Sequence, residues 1–340
     1  MGKTRMTRSE PPVRARAPRL ERAVAARVRG VHILDAIGGT PVLELTAIQR
    51  EAPGVRLLAK AEWFNPSGSV KARAAAAIVA EAEADGRLGP DSVLLDASSG
   101  NTALAYAMIG AARGYRVVLC VPKNANPQVM DALKAYGAEV VRTDPMQGSD
   151  GAIREARRLA AEDPKFVYLD QYNNDANWRA HYRTTAEEIW KQTGGAVTHF
   201  VAGLGTTGTF IGTTRRLKEL NPGIRALAVQ PATALHGLEG LKHLESAIVP
   251  GFYDHAVPDE TLFISTEDAY AAVKRLAQDE GVLVGPSSGA ALAASLALAK
   301  RLAVQPRNGR YAIVMIFPDS GDRYVAEGLF SSSLDHTFSS

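Results

Sequence analysis

The chain has 340 residues, 46% of them hydrophobic and 22% charged, with a formal net charge of only +3. This excludes general disorder and leaves enough chain for two lobes with buried cores. It also excludes a role resting on bulk charge and a membrane-spanning helix, since no apolar run is long enough; with Cys120 the sole cysteine, it excludes an intrachain disulfide and a cysteine-based zinc cluster.

Residues 1–30 form a basic extension, with Lys3, Arg5, Arg8, Arg14, Arg16, Arg19, Arg22, Arg27 and Arg29 against Glu10 and Glu21. A solvated terminal arm is the expected state, and a nucleic-acid-binding arm is the rival reading. The segment lacks the apolar stretch of a targeting signal, so the expected location is cytoplasmic. Beyond it, a helix is expected after Lys71. From residue 92 onward, short apolar runs alternate with helical stretches. The pattern predicts strands at 92–96, 116–121, 139–142, 166–169, 199–202, 225–229, 282–284 and 311–317. Helices are predicted at 102–113, 127–136, 178–192, 210–220, 267–279 and 290–302. Apolar strands separated by helices point to parallel sheets covered on both faces. The expected fold class is α/β: two three-layer α/β/α domains with mostly parallel sheets and a ligand in the cleft between them. Cys120 falls in an apolar strand, where a buried, inert thiol is expected.

Four loops carry chemistry. Asn65-Pro66-Ser67-Gly68-Ser69-Val70-Lys71 is a turn-rich run that places Lys71 at a helix start, where the dipole disfavours the ammonium form and keeps an amine nucleophilic. Ser98-Ser99-Gly100-Asn101-Thr102 gathers amides and hydroxyls between a strand and a helix, a seat for a carboxylate. Gly203-Leu204-Gly205-Thr206-Thr207-Gly208-Thr209 lacks the lysine of a nucleoside-triphosphate loop and fits a dinucleotide fingerprint poorly; a small organic phosphate suits it better. In Gly285-Pro286-Ser287-Ser288-Gly289, Ser287 is placed either to bond a ring nitrogen or to cap the next helix. Each loop taken alone is also compatible with an ordinary turn or helix cap.

Together, and in this order, the four motifs resemble the cysteine synthase and cystathionine β-synthase group of pyridoxal-phosphate enzymes, with the tryptophan synthase β-like fold, over roughly residues 33–330. Asp170-Gln171-Tyr172-Asn173-Asn174, Glu188-Ile189-Trp190, Thr198-His199-Phe200-Val201-Ala202-Gly203 and Thr207 resemble the B-type cysteine synthases in particular. The resemblance implies pyridoxal 5′-phosphate as cofactor, with Lys71 as its Schiff-base lysine and the remover of the substrate α-proton. It implies that Asn101 bonds the ring hydroxyl, that Gly205, Thr206, Thr207, Gly208 and Thr209 cradle the phosphate, and that Ser287 faces the pyridine nitrogen. Ser98, Ser99, Gly100 and Thr102 hold the substrate carboxylate on this reading, with Gln171 beside it. The implied reaction makes cysteine from O-acetylserine or O-phosphoserine and a sulfur donor through an aminoacrylate.

It further implies a homodimer, with a small-molecule sulfur source or a sulfur-carrier protein as partner. The implied domains are a smaller one at 67–176 and a larger one built from 31–66 and 177–330, followed by a tail at 331–340. The chain departs from the family pattern in Ala72, where aspartate is usual after the lysine, and in Ala103, where glycine is usual. The segment Leu235–His243 is the least family-like part of the expected rim. There Lys242 is a candidate for recognising the leaving group, with an ordinary solvated turn as the alternative. Cystathionine synthesis from serine and homocysteine, formation of another β-substituted alanine, and a catalytically silent binding protein remain open at this level.

Overall fold

The computed structural model describes residues 31–305 and 311–330. The expectations for the basic extension and the C-terminal tail lie outside the described residues. In chain order the strands are β1 (Val42–Glu44), β2 (Val55–Ala61), β3 (Val93–Ala97), β4 (Arg116–Pro122), β5 (Glu139–Thr143), β6 (Phe166–Tyr168), β7 (His199–Gly203), β8 (Arg225–Pro231), β9 (Glu260–Ile264) and β10 (Tyr311–Phe317). The main helices are α1 (Lys71–Ala84), α2 (Asn101–Arg113), α3 (Pro127–Ala135), α4 (Gly148–Glu162), α5 (Ala176–Arg183), α6 (Thr185–Gln192), α7 (Gly208–Leu220), α8 (Thr266–Glu280) and α9 (Pro286–Ala303).

Two sheets organise these elements. A six-stranded sheet has the order β1-β2-β10-β7-β8-β9, parallel except for the antiparallel β1–β2 pair, and a four-stranded sheet has the order β5-β4-β3-β6, parallel throughout. Parallel strands need helical crossovers, so both sheet faces are covered and their strands are apolar on both sides. In β10, which lies inside the larger sheet, all seven residues of Tyr-Ala-Ile-Val-Met-Ile-Phe are buried. The alanine-rich α9 packs closely on that sheet, and Leu292, Leu298 and Leu302 join its core. Tyr106, Ile109 and Met108 of α2 fill the core against the smaller sheet. The fold is therefore the expected α/β arrangement of two sheets, each layered with helices. No helix among the described residues is long and apolar enough to cross a membrane.

The detail departs from the expectation in four places. The helix expected at 178–192 is two helices that break at Thr184, whose φ of −122° and ψ of −68° leave the helical region while its hydroxyl accepts from Arg73 Nη1 at 3.1 Å. Residues 282–284 form no strand of either sheet; Val284 makes only an isolated bridge to Ser320. The helix expected at 290–302 begins four residues earlier, at Pro286, because proline suits the first helical position and Gly285 precedes it in an extended conformation. Helix α4 and the strands β1, β2 and β9 were not expected.

Buried charges lock α1 in place. Arg73, 3% exposed, pairs with the fully buried Glu62 at 2.7 Å and with Glu188 at 2.7 Å, and Lys60 reaches Glu188 at 2.6 Å. Two cations against two carboxylates, each hydrogen-bonded, keep this cluster electrically balanced. It fixes the start of α1, and with it Lys71, to β2 and α6.

Candidate active site

The site is assembled where strands of both sheets end and helices begin. Lys71 opens α1, and the loop before it is pinned to the end of β10 by Val70 N–H donating to Pro318 O at 2.8 Å. Gly68 holds φ +74°, and a Cβ there would press on Arg323 Nη2 at 2.9 Å. Asn101 opens α2 after β3, Gly208 opens α7 after β7, and Ser287 lies in the first turn of α9 rather than capping it. Helix starts expose unpaired N–H groups and positive dipole ends, so these loops are suited to anions.

Lys71, Asn101, Gly205, Thr206, Thr207, Thr209 and Ser287 line one cleft, closed on another side by Glu239, Gly240 and Leu241. Gly208 sits behind it, where a Cβ would lie 2.0 Å from Asn177 Oδ1. Ser98, Ser99 and Gly100 form the loop from β3 into α2. Ser99 is exposed, and Gly100 N–H donates to Ser98 Oγ at 3.3 Å. Thr102 and Gln171 are buried and joined, with Thr102 Oγ1 donating to Gln171 Oε1 at 2.8 Å. Lys242 does not line the cleft: its ammonium, 3.5 Å from Asp150, lies over the Tyr172 ring at 4.8 Å, although its backbone N–H donates to Leu204 O at 2.8 Å.

Electrostatics suit an amine nucleophile. Burial lowers the Lys71 pKa from the ordinary lysine value, while the nearby Asp319 charge works the other way. Asp319 is itself pushed up by burial, against the hydrogen bonds from Asn101 at 2.7 Å and from the Tyr324 hydroxyl at 2.8 Å, both received by Oδ2.

The Gly205–Thr209 loop fits a phosphate on three counts. A Cβ at Gly205 would lie 2.2 Å from Gly240 O, so only glycine leaves the backbone in place. Thr207 is a β-branched residue held at φ +68°, a strained conformation of the kind found at ligand clamps. Its buried Oγ1 has no hydrogen-bond partner, so a donor or acceptor from a ligand would satisfy it.

Sequence reasoning missed three supporting side chains. Asp319 follows β10, and an acid at the carboxyl end of a parallel strand was the available signal. Asn177 and His181, four apart on α5, share a face. Asn177 Nδ2 donates to Gln171 O at 2.8 Å and to Thr206 Oγ1 at 3.1 Å, and His181 Nε2 meets Thr209 Oγ1 at 3.2 Å. Burial, with Arg73 and Lys71 nearby, holds His181 well below the ordinary histidine pKa, so it stays neutral. Nothing local in Asn-Trp-Arg-Ala-His announces that face.

This geometry agrees with three comparisons. The cysteine synthase of Aquifex aeolicus is 48% identical over 302 residues, spanning 88% of this chain and 92% of that protein. Cysteine synthase B of Escherichia coli is 40% identical over 298 residues, spanning 87% and 95%. A solved cysteine synthase from Entamoeba histolytica superposes with a TM-score of 0.83 at 35% identity, covering 96% of this chain and 94% of that one. The family model for pyridoxal-phosphate dependent enzymes matches residues 33–319, from before the lysine loop through Asp319. With a lysine, an asparagine and a glycine–threonine phosphate loop all opening into one cleft, the chain belongs to the pyridoxal-phosphate dependent enzyme family.

Proposed function

We propose that this enzyme is a transferase that makes L-cysteine from an O-activated serine, O-acetylserine or O-phosphoserine, and a sulfur donor. The observation that carries the reading is the convergence of Lys71 and the Gly205–Thr209 cradle on one cleft, with Asn101 and Ser287 on its walls. Pyridoxal 5′-phosphate, when bound, supplies an electron sink for a substrate carbon. Gly205, Thr206, Thr207, Gly208 and Thr209 would hold its phosphate at the start of α7, Asn101 its ring hydroxyl and Ser287 its ring nitrogen. A serine hydroxyl there holds no full negative charge, unlike a carboxylate, and so does not stabilise a proton on that nitrogen.

The protein's own groups then divide the work. The Lys71 amine, its pKa lowered by burial, takes the substrate α-proton and later returns it. Ser98, Ser99, Gly100 and Thr102 at the start of α2 hold the substrate carboxylate, with Gln171 bracing Thr102 from behind. Asn177 ties that brace to Thr206, so the substrate loop and the phosphate cradle keep a fixed relation. Lys242 lies outside the cleft with its ammonium 3.5 Å from Asp150, so serving an anionic leaving group would require it to turn from Asp150 into the cleft.

The reading includes a smaller domain at 67–176, a larger one from 31–66 and 177–330, a homodimer, a cytoplasmic location, and sulfide or a sulfur-carrier protein as donor. Family likeness supports these points. The test is borohydride reduction of the holoenzyme followed by peptide mass analysis, and assay of cysteine formation from O-acetylserine, O-phosphoserine and serine with sulfide. Label on the Lys71 peptide and cysteine from an O-activated serine are expected. Label elsewhere, or no cysteine from any of the three, overturns the reading.

A further inference from the structure

The carboxylate of Asp96 has no part in the roles above, yet it stands directly behind the substrate loop. It is the penultimate residue of β3, followed by Ala97 and the Ser98–Thr102 run, and it is fully enclosed. Its Oδ1 accepts from Ala97 N–H at 2.7 Å and its Oδ2 from Gln171 N–H at 3.3 Å. Gln171 returns to the same strand end by donating Nε2–H to Ala97 O at 2.9 Å. The struts of the proposed carboxylate pocket thus converge on one buried acid.

Among the described residues it makes no salt bridge. The groups facing it are Tyr106 from α2, Cys120 from β4, Tyr168 from β6, and Asp170 and Tyr172 from the turn after β6. From α4, Arg157 turns instead to Asp170 at 3.7 Å.

We propose that Asp96 makes carboxylate binding at this loop depend on pH: protonated, it admits a substrate carboxylate, and ionised, it opposes one. The proposal rests on the reading that the Ser98–Thr102 loop receives that carboxylate. Two carboxylates sharing a poorly solvated site resist being ionised together. Burial, opposed by the bond from Ala97 N–H, pushes Asp96 up to about 7, so the change falls in the neutral range. The sign follows from linkage. A bound carboxylate favours protonated Asp96, so its affinity falls as pH rises through that range.

The test uses propionate and propionamide as probes of the holoenzyme, their dissociation constants measured by NMR titration. Propionate stays charged and propionamide neutral throughout, so their ratio reports preference for a carboxylate without an amine titration. In the wild type the preference for propionate is expected to shrink by about fivefold from about pH 6 to about pH 8.5. In Asp96→Asn it is expected to stay near its low-pH value. A merely structural role would weaken both probes together and leave the ratio flat. A wild-type preference for propionate that does not change with pH overturns the proposal and leaves the carboxylate loop standing, even if Asp96→Asn fails to fold. A pH dependence that survives in a folded Asp96→Asn also overturns it. No preference for propionate at any pH removes the carboxylate-loop reading and the proposal with it.

Discussion

Asn101 and Asp319, 218 residues apart in the chain, meet across the cleft, where Asn101 Nδ2–H donates to Asp319 Oδ2 at 2.7 Å. The same oxygen accepts from Tyr324, while Oδ1 is buried without a partner. Asp319→Asn can therefore keep both bonds, with its amide oxygen in the Oδ2 position, and lose only the charge. That charge raises the Lys71 pKa, so its removal is expected to move Lys71 acylation in the apoprotein to lower pH. An unshifted acylation profile would show that the two groups are not coupled. Asp319→Ala also releases Asn101, and cofactor retention is expected to fall by about tenfold.

Arg73 is the keystone of the buried charge cluster. Arg73→Met strands Glu62 in the interior and is expected to cost about 3–5 kcal/mol, read from urea unfolding; lysine does not restore it, because one ammonium cannot reproduce the guanidinium fork. The cluster also leaves a pH signature. Burial works to raise Glu188, but Arg73 and Lys60 hold it at about 2, below the ordinary carboxylate range. A depressed carboxylate adds stability above its unfolded pKa, and that stability is lost as pH falls through the folded one. Wild type should therefore lose stability from about pH 4.5 downward, and Arg73→Met should show a flatter curve in that window.

Gly205→Ala tests the phosphate cradle. The added methyl would sit 2.2 Å from Gly240 O, so one of the two backbones must move. A stability loss of about 1–3 kcal/mol is expected, with weaker cofactor binding by equilibrium dialysis. Normal affinity in this variant would mean that the loop does not hold the phosphate.

Lys242→Ala separates the two activated substrates. If its ammonium serves an anionic leaving group, kcat/KM for O-phosphoserine falls by about tenfold and that for O-acetylserine is unchanged. Equal changes for both substrates would assign Lys242 to holding Asp150 and Tyr172 instead.

Cys120 is expected to resist alkylation. It is fully buried in β4, and burial pushes its thiol up to about 12. Iodoacetamide near neutral pH should label it only when the protein is unfolded, as followed by intact mass; rapid labelling of the native protein would contradict the closed core.

Much of the scaffold was legible because its signals are local. Apolar runs such as Val-Val-Leu-Cys-Val and Ile-Val-Met-Ile-Phe are strands buried on both faces, the loops around Asn101 and Gly208 sit where a strand period gives way to a helix period, and Lys71 follows a turn-rich run at a helix start. The strands β1, β2 and β9 escaped notice; in β9, Glu-Thr-Leu-Phe-Ile is only partly buried, and Phe263 is 51% exposed. The break at Thr184 was hidden because the guanidinium that bonds its hydroxyl lies more than a hundred residues upstream.

By itself the sequence determined the α/β class, the order of the four chemical loops and the inert setting of Cys120, since each depends on neighbours along the chain. Only the tertiary structure decided that Asp319 would face Lys71 and Asn101, that Asn177 would join Gln171 to Thr206, that Lys242 would turn to Asp150, and that Asp96 would stand buried behind the substrate loop. Those relations are set by which strand ends the parallel crossovers bring together and by which charges the packing leaves without water. Both depend on contacts between residues far apart in the chain, and the order of residues does not display them.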